Sequence, residues 1–404
     1  MFDQRRVLIG IGGGIAAYKV CAAISALAKA GAEVRVVLTE AAQQFITPLT
    51  VATLSRHSAY TDADFWAAQN PRPLHIELGE WADCLVLAPA TANTLAKLAH
   101  GLADNLLTNI VLASRCPILL APAMNTEMWQ QATVQQNWQQ LCQDSRYHCL
   151  TPGTGILACD RVGAGRLVEP DLLLTALQAV LHTQGQPDLT GKHLLVSAGG
   201  TREHLDPVRF IGNPSTGRMG VAIAQAAFFR GATVTLVHGP LGFESVWPES
   251  PQFRRIEVTT AAQMQRSLTS SLSAADWLWM VAAVADVRPA EQFDRKLPKA
   301  ELPTALALEP VPDLVAELGQ HKLAHQKFIG FAAQTGEVVA PAIAKLQRKG
   351  LDAIVANAID QADRGFGSLT NSGVWITASG QQRDLPLMPK SELAHRLLDY
   401  APAL

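Results

Sequence analysis

The sequence predicts an α/β protein made of two doubly wound units, and three observations carry that expectation. At 404 residues the chain is long for one hydrophobic core, since domains typically hold about 100 to 200 residues. Short apolar runs alternate with helical patterns from the first residues onward, as parallel strands joined by crossover helices require. One plan also occurs twice: a strand, a glycine turn, a helix and a second strand open the chain, and the same series follows Gln184-Gly185-Gln186-Pro187-Asp188, its one compact linker. The expected boundaries are 1–183, a linker over 184–190, and 191–404, with both units Rossmann-like in plan.

Composition narrows the class. The chain is 48% hydrophobic, and 33 Lys and Arg nearly balance 35 Asp and Glu, so no field favours nucleic acid or an anionic membrane. Small molecules are the expected partners. No apolar run approaches the roughly 20 residues that span a bilayer, and Met1 to Gly14 lacks the length and cleavage site of a signal peptide. Six Cys without a CxxC or a His cluster at metal spacing suggest a reducing compartment and structural thiols. The expected location is cytoplasmic.

In the first unit, Arg6–Gly10 reads as a strand, and Gly12-Gly13-Gly14 opens a helix through Ala16, Tyr18, Val20, Ile24, Leu27 and Ala28, stopped by Gly31. That turn is either an anion site at a helix start or a tight turn feeding a packed helix. Val34–Leu38 is the next strand, and Thr39 and Glu40 at its end either meet a ligand hydroxyl or cap the helix from Ala41. In LHIEL, Leu74, Ile76 and Leu78 take one face of a strand, and His75 and Glu77 take the other. Two buried-type strands, Cys84–Ala88 and Pro117–Ala121, both run into Ala-Pro-Ala. Ligands of open parallel sheets lie beyond the strands' carboxyl ends, which makes Thr91, Asn93, Thr94 and Asn125 candidates. Asn125 also suits an ordinary turn, and Met124, Met128 and Trp129 read as packing. Pro152–Gly165 is glycine-rich, too loose for regular structure, and reads as a lid around Cys159. Helix Asp171–Leu181 completes the unit.

In the second unit, strand His193–Ser197, helix Val221–Arg230 and strand Thr233–Val237 repeat the opening plan. GNPSTGRM, Gly212 to Met219, has the glycine spacing of a phosphate loop but carries Arg218 and Met219 where Lys and a hydroxyl residue belong. What survives is an anion site at a helix start with Arg218 near it. Trp277–Ala285 reads as a buried strand ending at Asp286 and Arg288, followed by a long irregular segment, Pro289–Pro312, carrying Lys296 and Lys299. Lys345 and Lys349, four apart, share a helix face, either as two phosphate-directed cations or as ordinary surface lysines.

His75, the runs APATANTLAKLAHGLADNLL and APAMNTEMW, and LACDRVGAGR together resemble the flavin-containing cysteine decarboxylases. With the second half added, nearly the whole chain resembles the family of bifunctional coenzyme A biosynthesis proteins, in which phosphopantothenoylcysteine decarboxylase is joined to phosphopantothenate–cysteine ligase. The resemblance implies a flavodoxin-like first unit that binds FMN through Gly12, Gly13, Gly14, Thr39, Pro89, Thr91, Asn93 and Thr94. It implies catalytic roles for His75 in proton transfer, for Asn125 in holding the substrate carboxylate, and for Cys159 as proton donor. Asp160 follows that Cys where the family usually has Gly.

For the second unit the resemblance implies catalytic Arg209, Asn213 and Lys296. It implies a CTP site of Met280, Val281, Ala282, Asp286, Lys296, Pro312, Asp313, Leu314, Val315, Phe331, Lys345 and Lys349, with Mg2+ held by unassigned ligands. Arg218 stands where Lys is commoner and Val311 where Asn is usual. The implied reactions are CTP-dependent joining of 4'-phosphopantothenate to cysteine, then decarboxylation of 4'-phosphopantothenoylcysteine to 4'-phosphopantetheine. A simple alkyl carboxylate has nowhere to leave its electron pair, so the thiol carbon is first oxidised by FMN and later reduced again, without NAD(P)H. Decarboxylase trimers within a larger homo-oligomer are also implied. The competing expectations are a peptidyl-cysteine decarboxylase, against which the second domain speaks, and a noncatalytic flavin-binding regulatory protein, against which His75, Asn125 and Cys159 together speak.

Overall fold

A computed structural model describes residues 1–404 except positions 69, 70, 159, 361–363 and 366. The chain divides into two compact units, Met1–Asp188 with Val246–Glu249, and Leu189–Ser245 with Ser250–Leu404.

The first unit contains strands β1 (Arg6–Ile11), β2 (Glu33–Leu38), β3 (Ala59–Tyr60), β4 (Cys84–Ala90), β5 (Ile118–Pro122), β6 (Tyr147–Cys149), β7 (Gly153–Ile156) and β8 (Val162–Arg166). Its helices are α1 (Ala17–Lys29), α2 (Pro48–Ser55), α3 (Asp62–Phe65), α4 (Leu74–Trp81), α5 (Ala92–Ala99), α6 (Leu106–Ala113), α7 (Thr126–Gln130), α8 (Ala132–Gln143) and α9 (Pro170–Thr183). The six strands β3-β2-β1-β4-β5-β6 form one sheet, parallel throughout. Such a sheet needs cover on both faces, and β4 and β5 are buried along their whole length. Leu8, Leu85 and Ile118 share a core with Leu78 of α4, Leu95 of α5 and Ile110 of α6. On α1, Val20, Ile24, Leu27 and Ala28 are buried at helical spacing, while Tyr18 is 61% exposed and stands outside the core.

Three local expectations are corrected here. LHIEL is helical: α4 starts after Pro73, and Leu74 and Leu78, one turn apart, are the buried pair. A five-residue alternation cannot separate a strand from one face of a helix. Pro152–Gly165 is not irregular, because β7 and β8 pair as an antiparallel hairpin. Cys142 and Cys149 form a disulfide with Cα atoms 5.9 Å apart, because α8 returns along β6; the expectation of reduced structural thiols fails for this pair. Cys21, Cys84 and Cys116 are free, and burial pushes all three thiols up, which keeps them protonated and unreactive.

The second unit contains β9 (His193–Ala198), β10 (Arg202–His204), β11 (Phe210–Gly212), β12 (Thr233–His238), β13 (Phe253–Glu257), β14 (Trp277–Met280), β15 (Val287–Pro289), β16 (Leu308–Pro310), β17 (Lys327–Gln334), β18 (Ala353–Ala358), β19 (Thr370–Thr377) and β20 (Gln382–Pro389). Its helices are α10 (Arg218–Phe229), α11 (Ala261–Leu272), α12 (Leu314–Gly319), α13 (Val339–Arg348) and α14 (Lys390–Tyr400). The main sheet has the order β13-β12-β9-β14-β17-β18-β19-β20, with β19 and β20 antiparallel. Leu278 and Phe328 pack with Leu268 of α11, Leu318 of α12 and Leu346 of α13. On the other face Trp279 meets Trp375, which meets Tyr400 of α14.

The expected strand Trp277–Ala285 is cut short. β14 stops at Met280 because the buried Ser197 hydroxyl accepts the N–H groups of Val281 and Ala282, both at 3.1 Å. Pro289–Pro312 is likewise not wholly irregular, since β15 and β16 pair antiparallel.

Candidate active sites

In the first unit, β1, β2, β4 and β5 all end at one edge. Gly12 lies against β4, its N–H donating to Pro89 O at 3.0 Å, and a Cβ on it would stand 2.5 Å from that oxygen. A Cβ on Gly13 would stand 2.3 Å from Ala41 Cβ. Both glycines are therefore explained by close backbone packing. Gly14 differs, because a Cβ there would meet nothing within 4 Å. The N–H groups of Gly13 to Ala16 take no acceptor among the described residues, and Ala16 gives α1 no side-chain cap. A run of unpaired N–H groups bordering open space fits a phosphate-bearing group.

Thr39, Thr91 and Asn125 share one geometry. Each ends the loop after a strand and caps the next helix, accepting the N–H of Ala42 at 3.2 Å, Thr94 at 3.2 Å and Met128 at 2.8 Å. The turn reading and the functional reading thus coincide. Capping occupies Asn125 Oδ1, so the side of this exposed amide left for a ligand is the donor Nδ2, which is the side a carboxylate needs. Asn93 is exposed, whereas Thr94 is buried with its hydroxyl 3.1 Å from that of Thr91, so Thr94 braces the turn. The peptide bond Ala88-Pro89 is cis.

His75 sits in the first turn of α4 and meets the Phe65 ring edge-on, with centroids 5.4 Å apart. Its Nδ1 is buried without a hydrogen-bond partner among the described residues. Because α4 leads down into the amino end of β4, its first turn lies toward the carboxyl edge of the sheet.

The β7–β8 hairpin bears directly on the Asn125 turn. Met124 N–H donates to Gly165 O at 3.0 Å, and Arg161 pairs with Glu127. A Cβ at Gly163 would come 2.3 Å from Thr126 Oγ1, and one at Gly165 would come 2.3 Å from Met124 O. Cys159 lies outside the described residues. Asp160 has φ 60°, left-handed backbone that glycine adopts freely and Asp tolerates at a cost, which explains why glycine suits this position. Met128 is 46% exposed rather than packed; Trp129 is buried.

In the second unit a cavity of about 550 Å³ opens at the carboxyl edge of β14, β17 and β18, a size suited to a small-molecule ligand. Met280, Val281, Ala282, Asp286, Pro312, Asp313, Leu314, Val315, Phe331, Lys345 and Lys349 all line it, as does Asn213. Lys345 Nζ donates to Phe331 O at 2.8 Å, and Lys349 Nζ pairs with Asp313 Oδ1 at 2.9 Å. Both ammonium groups are thus engaged within the protein. Burial pushes the Lys345 ammonium down, with Lys349 adding to the effect. Burial works against the Asp313 carboxylate, but the Lys349 ammonium together with the N–H groups of Ala316 and Val315 outweighs it and lowers the group overall. Asn213 Nδ2 donates to Val284 O at 3.1 Å, fixing the segment after β14.

Arg209 and Lys296 do not line the cavity. Arg209 is bound to the fully buried Asp206, its Nη1 2.5 Å from Oδ2 and 3.2 Å from Leu297 O. Asp206 also accepts the N–H groups of Val208 and Arg209 at 2.8 Å and of Leu297 at 3.2 Å. Burial alone would raise this carboxyl, but those three N–H groups and the guanidinium hold it at about 2. Phe293 N–H donates to Leu205 O at 2.8 Å, so a three-residue arch over 294–296 is pinned at both ends and presents Lys296, which is exposed. Sequence reasoning missed Asp206 and three further residues that line the cavity, Arg348, Asn371 and Lys390. Only Lys390 carried a signal, being a cation at a helix start where the macrodipole disfavours one.

Residues 1–182 match the family described as Flavoprotein, and residues 189–403 match the family described as DNA/pantothenate metabolism flavoprotein C-terminal domain. The chain is 42% identical over 406 residues to the coenzyme A biosynthesis bifunctional protein of Bacillus subtilis (strain 168), covering 100% of this chain and 98% of that protein. It belongs to the family of coenzyme A biosynthesis bifunctional proteins. The family member from Escherichia coli (strain K12) is 39% identical over 399 residues, covering 98% of this chain and 96% of that protein. Among solved structures, the crystal structure of the C-terminal domain of a family member covers 54% of this chain and 96% of that chain at 33% identity, with a TM-score of 0.44. No described helix is long and apolar enough to cross a membrane.

Proposed function

We propose that this enzyme carries both activities of its family: residues 191–404 join 4'-phosphopantothenate to cysteine at the expense of CTP, and residues 1–183 decarboxylate the product, 4'-phosphopantothenoylcysteine, to 4'-phosphopantetheine. Residues 184–190 link them. The observation that carries this reading is identity of 42% sustained over the full length of a bifunctional relative.

In the ligase half, the cavity takes the nucleotide. Lys345 and Lys349 bring positive charge to its lining, with Asp286 and Asp313 close by, and Mg2+ would offset the remaining triphosphate charge. The substrate carboxylate attacks the α-phosphorus, pyrophosphate leaves, and the cysteine amine then displaces CMP to form the amide. Because such transfers depend mainly on positioning and charge stabilisation, the pinned arch makes Lys296 a mobile-tipped cation with fixed roots, suited to reach the reacting phosphate.

In the decarboxylase half, the unpaired N–H groups of Gly13 to Ala16 would hold the phosphate of FMN, with Thr39, Pro89, Thr91 and Asn93 around it. FMN supplies, when bound, a two-electron acceptor that makes the carbon beside the sulfur able to receive the electron pair left by CO2. Asn125 Nδ2 holds the carboxylate without an opposing charge, so the ion gains little by remaining. His75 moves a substrate proton, and Cys159 returns one. Assembly into decarboxylase trimers within a larger homo-oligomer, and a cytoplasmic location, complete the reading.

The test supplies purified protein with 4'-phosphopantothenate, cysteine, FMN, Mg2+ and either CTP or ATP, and weighs the products. The expected outcome is 4'-phosphopantetheine, CMP and pyrophosphate with CTP. Product arrested at 4'-phosphopantothenoylcysteine would refute the decarboxylase half, and no amide with either nucleotide would refute the ligase half.

A further inference from the structure

The β8 side of the hairpin meets the Asn125 turn with every second residue. Gly165 O accepts the Met124 N–H at 3.0 Å, a Cβ on Gly163 would fall 2.3 Å from Thr126 Oγ1, and Arg161, just before the strand, pairs with Glu127. Leu157 N–H donates to Arg161 O at 2.8 Å, so the ladder of the hairpin reaches Arg161 and keeps 161, 163 and 165 on one side of an extended chain. The contacts therefore run in a line along residues 124–127. Backbone and glycine make the first two, and charged side chains make the third.

The two partners in this contact are not equally well held. Within the first unit, the carboxylate of Glu249 anchors the hairpin's other strand, accepting the Thr154 N–H at 2.9 Å and the Thr154 hydroxyl at 2.7 Å. By contrast, α7 has five residues, too few to keep a helix in water without outside contacts. Its far side is rooted by Trp129, which is buried and meets Trp138 edge-on with ring centroids 5.3 Å apart. Its first turn, the one Asn125 caps, has less support. Thr126 Oγ1 is buried without a partner and Met128 is exposed, so among the described residues Glu127 is the side chain of that turn with a polar partner outside it.

We propose that Arg161 is a positioning residue for decarboxylation: through Glu127 it fixes the first turn of α7, and with it the amide of Asn125. The proposal rests on the decarboxylase reading above, in which that amide holds the substrate carboxylate. Both side chains of the pair are exposed, and an exposed ion pair adds little to global stability. Its effect is local, and a displacement of about 1 Å at a substrate-positioning group costs up to about a hundredfold in rate.

The test compares the full chain as wild type, Arg161→Glu, Glu127→Arg and the exchanged double variant Arg161→Glu/Glu127→Arg, with excess FMN and supplied 4'-phosphopantothenoylcysteine. Loss of an exposed pair alone allows about fivefold; reversal adds repulsion between like charges, so each single variant is expected to release CO2 about tenfold more slowly. The exchanged variant should return to within about threefold of wild type, a rescue that general damage to the fold would not give. Bound flavin and ligation of 4'-phosphopantothenate to cysteine should be unchanged throughout. A flavin-bound single variant with wild-type turnover, or an exchanged variant no faster than the singles, overturns the proposal. If the reversals do not fold, Arg161→Lys and Arg161→Gln decide: a fast Lys variant beside a slow Gln variant supports the ion pair, and equal rates overturn it. Wild type that releases no CO2 refutes the decarboxylase reading and this proposal with it, whereas an active wild type with unaffected variants refutes the proposal alone.

Discussion

Replacing Gly165 by Ala separates the two halves of the reaction most cleanly. The added Cβ would lie 2.3 Å from Met124 O, whereas ordinary contact begins near 3.4 Å, so the hairpin must lift by about 1 Å from the Asn125 turn. Lifting breaks the bond from Met124 N–H to Gly165 O, worth about 1 kcal/mol, and alanine at φ 137° adds about 1 to 2 kcal/mol of backbone strain. A loss of about 2 to 3 kcal/mol leaves a domain of this size folded but locally displaced. For a group that must stay within hydrogen-bond reach of a reacting carboxylate, a displacement of about 1 Å costs about a hundredfold in rate. The assay is CO2 release from supplied 4'-phosphopantothenoylcysteine with excess FMN, with ligation of 4'-phosphopantothenate to cysteine measured on the same sample. Decarboxylation should fall about a hundredfold while ligation holds. Wild-type CO2 release from a protein with bound flavin would show that the hairpin's seat on Met124 does not position Asn125.

Three further outcomes follow from single side chains. Asn125→Ser keeps an oxygen for the Met128 N–H but loses Nδ2, so thermal stability should hold within about 0.5 kcal/mol while CO2 release disappears; retained turnover would remove the carboxylate role. Asp160→Gly should stabilise the first unit by about 1 kcal/mol by relieving a positive φ, read as a raised midpoint of thermal unfolding, and a lowered midpoint would contradict that account. Asp206 is held at about 2, below its unfolded value near 3.9, so it contributes stability that is full above about pH 4 and lost as pH falls through 2. Asp206→Asn should flatten that acid limb and lower ligation without affecting decarboxylation; an unchanged acid limb would mean the carboxylate is not the group that titrates.

The doubly wound plan was legible because a sheet covered on both faces writes itself as unbroken apolar runs such as CLVLA and HLLVS. Thr91 and Asn125 were findable for the same reason, since the residue that caps the next helix is also the one left at the sheet's edge. Errors arose where long-range partners override local pattern. Nothing near Met280 announces the end of β14, because the hydroxyl that ends it belongs to Ser197 on a neighbouring strand. Gly163 and Gly165 looked loose because the turn they press against lies some forty residues earlier in the chain, at Met124 to Thr126. Lys390 escaped notice because the cation beside it, Arg218, is brought there only by the packing of α14 on α10.

That single serine oxygen has a consequence for how the second unit tolerates change. The ladder is interrupted only there, since Ala283 pairs again with Gly200, so Val281 and Ala282, which border the chamber, owe their backbone course to one neighbour that takes two amide hydrogens out of the ladder. A change at Ser197 would therefore reach the chamber through the backbone, without any side chain of the lining being altered.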